Sequence, residues 1–335
     1  MQKTKNYNNY VRSLSLVGTT SCGKSTIGNL LSGSYVLPSG VQETTTSVIE
    51  LRQSATCYIP TMSCIDINNN DKLCETRLKS HAETRAWIDN AMNFPGSTKI
   101  LLQIGIPQTR RETQTFILGR VPISEALNLT QGLTIRDFPG FQYEKDRNRL
   151  KLIERHLEND DVILFIFNAE ETDSIKEVQL LKALFNLLHQ QGKNWQSILF
   201  VLNRKDAFSR DSEPQNALQQ ALKNRQTRIK KLINETWKST PRKNDLTIIP
   251  LSAGFVLATE MLSWHNKTLT KYEREHFQNH IAKEGIALLS EKTRDSLPRS
   301  VKKWDFIHWN RVYREMYLSS GLADFINTLQ VKLST

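Results

Sequence analysis

Residues Gly18 to Ser25 read GTTSCGKS: two glycines five positions apart, followed at once by a lysine and a hydroxyl residue. The segment before it, Ser13–Val17, reads as a strand, and the IGNLL after it reads as a helix. A strand that turns into a helix through so short a glycine-bounded loop belongs to an α/β fold. Gly18 and Gly23 let the backbone curl so that the N–H groups of Thr19, Thr20, Ser21 and Cys22 converge on one point. The helix N-terminus adds its partial positive charge. A phosphate chain suits such a nest. Lys24 is then placed to reach β- and γ-phosphates, and the Ser25 hydroxyl to ligate Mg²⁺. The expected nucleotide-contacting stretch runs from Gly18 through Thr26.

The rest of the chain supports an alternating fold. Thr46–Leu51, Lys99–Ile104, Leu133–Arg136, Ser197–Leu202 and Leu246–Leu251 are strand candidates, and Asp161–Phe167 (DVILFIF) reads as a strand buried on both faces. Ser174–His189 has helical spacing, and residues 213–237 read as a long polar and basic helix. Two regions break the alternation, Arg52–Gln131 and Phe255–Ser320, and read as insertions or elaborations. The end, GLADFINTLQVKL, reads as an amphipathic helix after Gly321. The length of 335 residues allows a sizeable core. No apolar run reaches the roughly 18 residues a membrane-spanning helix needs. The polar start MQKTKNYNNY does not read as a secretory signal, and four cysteines do not make a disulfide scaffold. These features favour a cytoplasmic protein, with peripheral membrane association left open.

Further along, Asp137-Phe138-Pro139-Gly140 follows the strand LTIR. A carboxylate at a strand end beside the first strand can reach Mg²⁺ through water, and Gly140 can offer its N–H to a γ-phosphate. Between the two motifs lies Glu43-Thr44-Thr45-Thr46. Thr45 is the expected residue there, with its hydroxyl on Mg²⁺ and its N–H on γ-phosphate, although threonines also suit the entry to a strand. Asn203-Arg204-Lys205-Asp206 ends the strand SILFVLN. Asp206 can accept from N1–H and the exocyclic amine of guanine, whereas adenine offers a lone pair at N1 and no such amine. Charge-assisted hydrogen bonds of roughly 1.5–3 kcal/mol each give strong discrimination. Asn203 is expected to tie this loop to the phosphate loop, and the stem of Arg204 to pack on the base. Ser252-Ala253 follows the next strand, with a backbone N–H expected on guanine O6.

These elements occur in a fixed order, each phosphate or base motif behind a strand, and the set resembles translation-factor-related GTPases. VGTTSCGKSTIGNLLSGSYVLPSGVQETTTSVIEL is similar, more narrowly, to the dynamin superfamily, especially mitofusin-type and bacterial dynamin-like GTPase domains. Ninety residues separate Thr46 from Asp137, far more than in small Ras-like domains. LTIRDFPGF resembles the family's L-x-L-x-D-x-P-G. The resemblance covers roughly residues 12–252. It implies a three-layer P-loop GTPase domain with a mainly parallel sheet, extended by insertions and a C-terminal helical region. On this reading residues 1–335 form one domain, with a core over about 12–253 and a helical elaboration over about 254–335. It also implies GTP and GDP as ligands, Mg²⁺ as cofactor, and catalytic roles for Ser21, Lys24, Thr45 and Gly140. Ser25, Thr45 and Asp137 are the implied metal ligands. Ser21 matches the family serine that contacts a monovalent cation, K⁺ or Na⁺, and catalysis is completed by nucleotide-dependent pairing of two copies. Three departures stand out. Thr20 occupies a position that is Gln in dynamins proper, Glu43 one that is His in mitofusins, and Phe141 follows DxxG where Ras-like enzymes have Gln. The family's helical stalk has no room in this sequence.

Other groupings are weaker. Cys57, Cys64, Cys74 and His81 lack the tight spacing of structural zinc. Cys22 sits in a positive loop that can lower a thiol pKa, but a small residue fitting the loop explains it as well. Lys223, Arg225, Arg228, Lys230, Lys231, Lys238, Arg242 and Lys243 read as a solvated helix face or as an anion-binding patch. Trp304, Phe306, Trp309, Tyr313 and Tyr317 read as packing of the C-terminal helices in preference to a membrane-interfacial belt. The net charge of +11 admits nucleic-acid or membrane surfaces as partners without choosing between them. Three classes therefore stay open: a GTPase that self-associates or drives a partner, a GTP-loaded module that does not hydrolyse, and an assembly GTPase on ribosome or nucleic acid.

Overall fold

Why the middle of the chain becomes the centre of a sheet is plain from one strand. β7 (Val162–Asn168) is VILFIFN, and all seven residues are buried. Its β-branched and aromatic side chains suit a pleated surface covered on both faces. Val162, Leu164 and Ile166 point into one apolar core and Ile163, Phe165 and Phe167 into another, the period of two that a strand imposes. The computed structural model describes residues 12–38, 47–54, 61–66, 71–77, 81–92, 100–107, 133–140, 153–154, 156–158, 160–171, 175–242, 245–264 and 269–334.

β1 (Arg12–Gly18) lies between β6 (Leu133–Asp137) and β7, parallel to both. β8 (Ile198–Asn203) and β9 (Ile248–Leu251) continue the parallel run beyond β7. On the other side β2 (Val48–Ser54) pairs antiparallel with β6, and β5 (Ile100–Pro107) pairs parallel with β2. The insertion adds an antiparallel hairpin, β3 (Thr61–Asp66) and β4 (Lys72–Arg77), at the sheet edge. The nine strands run β4-β3-β5-β2-β6-β1-β7-β8-β9. The parallel expectation holds from β6 to β9, and the inserted half is mixed. β3 and β4 were not legible as strands: β4 has only exposed and half-buried positions and no strong apolar face.

Helices cover both faces. α1 (Lys24–Ser32), α5 (Ala253–Trp264), α8 (Phe306–Ser319) and α9 (Leu322–Ser334) bury Ile27, Leu30, Leu257, Met261, Val312, Met316, Phe325 and Leu329 on the face of Leu14 and Leu16. α3 (Ile175–Gln190) and α4 (Pro214–Trp237) bury Leu181, Phe185, Ile229 and Ile233 on the opposite face. Each such side chain contributes roughly 1.5–3 kcal/mol of transfer free energy. α2 (His81–Met92) follows the inserted hairpin. Gly33 ends α1 in the left-handed conformation at φ 65°, its N–H returning to the carbonyls of Asn29 and Leu30.

The C-terminal elaboration shares the first core. α6 (Lys271–His280) starts with a capping box between Thr270 and Glu273, α7 (Glu291–Asp295) is capped by Ser290, and α8 is capped by Asp305. Trp304 and Tyr313 are buried, and Trp304 Nε1–H donates to the Pro298 carbonyl at 2.8 Å. These aromatics therefore pack as core. The basic stretch over α4 divides: Lys223, Lys231, Lys238 and Arg242 are exposed, but Arg225 is buried. Its guanidinium donates to the carbonyls of Asn168 at 2.8 Å and Glu171 at 2.5 Å, and lies 3.7 Å from Glu177. Arg225 thus closes the α3–α4 packing over the end of β7 and is no part of a surface patch.

Candidate functional site

Each glycine of the phosphate loop has a steric reason. A Cβ on Gly18 would stand 2.5 Å from Cys22 Sγ and 2.6 Å from the Ile166 carbonyl, and one on Gly23 (φ +93°) would overlap Asn203 Nδ2. Ser21 also sits in the left-handed region at φ 62°. Between them the chain turns from β1 into α1, which carries Lys24, Ser25 and Thr26 in its first turn. Lys24 is buried, and its ammonium donates to the carbonyls of Gly18 at 3.3 Å and Thr19 at 2.8 Å. The hydroxyl oxygens of Thr19 and Thr20 are buried and make no hydrogen bond among the described residues.

The Asp137 motif meets this loop directly. Ser25 Oγ–H donates to Asp137 Oδ2 at 2.6 Å, while Asp137 Oδ1 is buried without a hydrogen-bond partner among the described residues. Burial pushes the Asp137 carboxyl up to about 6, against the opposing pull of the Lys24 charge and the Ser25 hydrogen bond. A Cβ on Gly140 would lie 2.6 Å from Thr20 Oγ1 and 2.8 Å from Thr20 Cα, so the backbone of this motif rests on the phosphate loop. Arg136, one residue before Asp137, is held by Glu50 of β2 at 2.7 Å and by Asp160. The hydroxyl of Ser25 and the unshared oxygen of Asp137 form a hard oxygen pair of the kind Mg²⁺ takes. Thr45, with Glu43, Thr44 and Thr46, lies outside the described residues, as do Phe141 and Cys57. Cys22 is fully buried, and burial raises its thiol pKa despite the Lys24 charge. The loop does not activate that thiol.

At the base end, Asn203 joins three loops. Its Nδ2–H donates to the Cys22 carbonyl at 2.9 Å, and its Oδ1 accepts from Ala253 N–H at 3.1 Å. Arg204 stands at φ 63°, and its guanidinium pairs with Glu170. Ser252 Oγ accepts from Asp206 N–H at 3.1 Å, and Ser252 N–H donates to the Ser320 carbonyl at 3.0 Å. Both N–H groups of the Ser252-Ala253 pair are thus engaged within the protein, so Ser252 meets the base loop through its hydroxyl, against the expectation of an N–H turned to O6. Lys205 turns away from the loop, and its ammonium donates to the Ser319 carbonyl at 2.7 Å.

The structure therefore gathers Gly18 through Thr26, Asp137 and Gly140 at one end of the parallel strands. Asn203 to Asp206, Ser252 and Ala253 adjoin them. Glu170, Arg136 and the segment Ser319–Gly321 also belong to the surroundings of the site, and no motif marks them. Among the described residues, no group of three or more His, Cys, Asp or Glu side chains could hold a metal. Cys64 and Cys74 face each other across β3 and β4.

A family model for the dynamin family matches residues 14–205, more than half of the chain. The chain belongs to the dynamin family. Its dynamin-family domain is a GTPase domain, that is, a GTP hydrolase. No curated protein matches the sequence. Among solved structures, one is described as an oligomerised bacterial dynamin pair that senses and tethers membranes over long range. It is 11% identical at a TM-score of 0.49, covering 97% of this chain and 42% of its own. LeoA, a bacterial dynamin GTPase from ETEC, is 11% identical at a TM-score of 0.39, covering 96% of this chain and 40% of its own. Toc33 from Arabidopsis thaliana, in complex with Mg²⁺ and GMPPNP, is 15% identical at a TM-score of 0.36, covering 72% of this chain and 71% of its own. This dynamin-family chain spans about two fifths of the length of the two bacterial proteins.

Proposed function

We propose that this chain binds GTP with Mg²⁺ and hydrolyses it to GDP and phosphate, and that self-association in the nucleotide-bound state completes the catalytic site. The observation that carries this reading is the pair Ser25–Asp137. One carboxylate oxygen is held at 2.6 Å by a hydroxyl at the phosphate-loop helix, and the other is buried with no partner among the described residues, beside a buried lysine. A buried polar atom left without a partner costs roughly 1–3 kcal/mol. A site that keeps one suits a ligand that satisfies it.

The roles follow from position. The N–H groups of Thr19 to Thr26 cradle phosphates, and Lys24 brings a positive charge to the β- and γ-phosphates. Ser25, Asp137 and Thr45 hold Mg²⁺, which when bound neutralises charge building up on the phosphate oxygens. Thr45 and Gly140 offer N–H groups to the γ-phosphate. Asp206 accepts from guanine, with Asn203 and Ser252 holding its loop. The attacking water needs an orienting group, and the Phe141 side chain has no polar atom to serve. Ser21 is the side chain assigned to a monovalent cation, K⁺ or Na⁺, and a second copy of the chain closes the site. Among the described residues no helix is long and apolar enough to cross a membrane. The exposed Lys223, Lys231, Lys238 and Arg242 support peripheral contact with an anionic membrane.

The test is GTP turnover over a wide range of protein concentration, in K⁺ and in Na⁺, with light scattering in GDP–aluminium fluoride. Specific activity is expected to rise with concentration, with a dimer in the mimic. Constant specific activity from a protein that stays monomeric rules out dimer-completed catalysis.

A further inference from the structure

The link between α8 and α9, Ser319-Ser320-Gly321, touches the base loops at two points and β9 at a third. Lys205 Nζ donates to the Ser319 carbonyl at 2.7 Å, and Ser252 N–H donates to the Ser320 carbonyl at 3.0 Å. Gly321, at φ +84°, lies so close to the Pro250 carbonyl that any Cβ would overlap it. Ser252 is the relay: its hydroxyl accepts from Asp206 N–H at 3.1 Å while its own N–H holds Ser320. Ser252 and Ser320 are both fully buried. The link is itself rigid. Ser320 N–H closes on the Met316 carbonyl, Phe325 N–H on the Gly321 carbonyl, and Val312, Met316, Leu322 and Phe325 sit in the core.

Taken together, these contacts bear directly on Asp206. Lys205 and Ser252 bracket it, one through the adjacent peptide and one through a hydrogen bond to its own N–H, and both are anchored to carbonyls of the link. An ammonium drawn from water to a carbonyl loses hydration. Burial accordingly lowers the Lys205 pKa, with the Asp324 charge opposing. A lysine kept at that cost holds something in place.

We propose that the α8–α9 link is a positioning element for guanine recognition, with Lys205 and Gly321 acting through it on Asp206, so that guanine occupancy and the seating of the two C-terminal helices are coupled. The proposal rests on the assignment of Asp206 to the base. Thermodynamic reciprocity gives it two faces. Loosening the link weakens guanine discrimination, and binding guanine tightens the link. Packing alone moves stability and leaves base choice unchanged.

The experiment compares GDP with IDP, whose base lacks the exocyclic amine. Affinities of the full chain are measured by competition against a fluorescent GDP analogue, in wild type, Lys205→Met, Lys205→Arg and Gly321→Ala. Amide exchange over residues 316–324 is followed with each nucleotide. Wild type is expected to favour GDP by about tenfold or more, the worth of one hydrogen bond to a carboxylate. In Lys205→Met and Gly321→Ala that ratio is expected to fall by about threefold or more, with Lys205→Arg recovering part of it. GDP is expected to slow exchange at the link more than IDP does. An unchanged ratio in folded Lys205→Met and Gly321→Ala, with exchange at the link indifferent to GDP, overturns the proposal and leaves the base site standing. Failure of wild type to favour GDP overturns both. Where neither variant folds, wild-type exchange decides: no GDP-specific protection at the link overturns the proposal.

Discussion

Ser25 Oγ and Asp137 Oδ2 lie 2.6 Å apart, and this bond joins the first turn of α1 to the end of β6 across 112 residues of chain. It couples the phosphate loop to the DFPG turn before any nucleotide is considered. Ser25→Ala leaves the buried carboxylate with neither oxygen held by that hydroxyl. Removing one partner of a buried hydrogen bond costs roughly 1–3 kcal/mol. Urea unfolding in EDTA should show that loss, and Mg²⁺-dependent GTP turnover should fall at least tenfold. Unchanged stability and turnover would remove Ser25 from both roles.

Asp206→Asn exchanges an acceptor for a group that both donates and accepts. Base preference should move from guanine toward xanthine nucleotides, with GTP affinity falling by about tenfold or more as one charge-assisted bond is lost. Competition binding with GTP, XTP and ATP reads this. Equal binding of ATP and GTP by wild type would refute the guanine assignment.

Ser21 sits at φ 62° in the phosphate loop. Ser21→Ala keeps a side chain that meets the same backbone constraint and removes only the hydroxyl. If Ser21 serves a monovalent cation, the ratio of turnover in K⁺ to turnover in Na⁺ should fall toward one, while GDP affinity stays within about threefold. A variant with the wild-type cation response shows that the cation, if used, is held elsewhere.

Glu177 gives a pH signature. It is buried, accepts from Asn168 N–H at 3.1 Å, and burial pushes its carboxyl up to about 7, against the pull of Arg225. The folded value lies above the ordinary 4.5, so this group's contribution is full below about pH 4.5 and is lost as pH rises through about 7. Between pH 5.5 and 8 wild type should lose on the order of 1–3 kcal/mol that Glu177→Gln does not lose. Urea midpoints of both proteins at the two pH values provide the comparison. Parallel pH slopes would mean that Glu177 stays ionised throughout.

Arg225→Met removes the guanidinium, whose carbon lies 5.6 Å from the centre of the Phe167 ring, and so leaves the carbonyls of Asn168 and Glu171, and the Glu177 carboxyl, without it. Removing one member of a buried pair costs about 3–5 kcal/mol. The loss should be largest near pH 8, where Glu177 is charged. A surface arginine would change stability by less than about 0.5 kcal/mol, so calorimetry separates the two cases.

Much of the site was legible because its requirements are local. A chain that turns from strand to helix around a phosphate needs glycine where a Cβ would collide, and Gly18 and Gly23 meet that need within eight residues. DFPG and NRKD are readable for the same reason, each at the end of a short run that reads as a strand. The order of those runs was enough to predict the parallel half of the sheet. What remained hidden depends on distant parts of the chain. β3 and β4 carry weak local signals and exist because β5 offers β3 a partner and β3 in turn pairs with β4. Arg225 reads as one more surface cation until α3 brings Glu177 against it. Lys205 reads as part of a charged turn, yet its partner is the carbonyl of Ser319, 114 residues away. Backbone curvature is dictated by neighbouring residues and is therefore written in the motif. The identity of a buried side chain's partner is decided only when separate helices pack, and no spacing along the sequence encodes it.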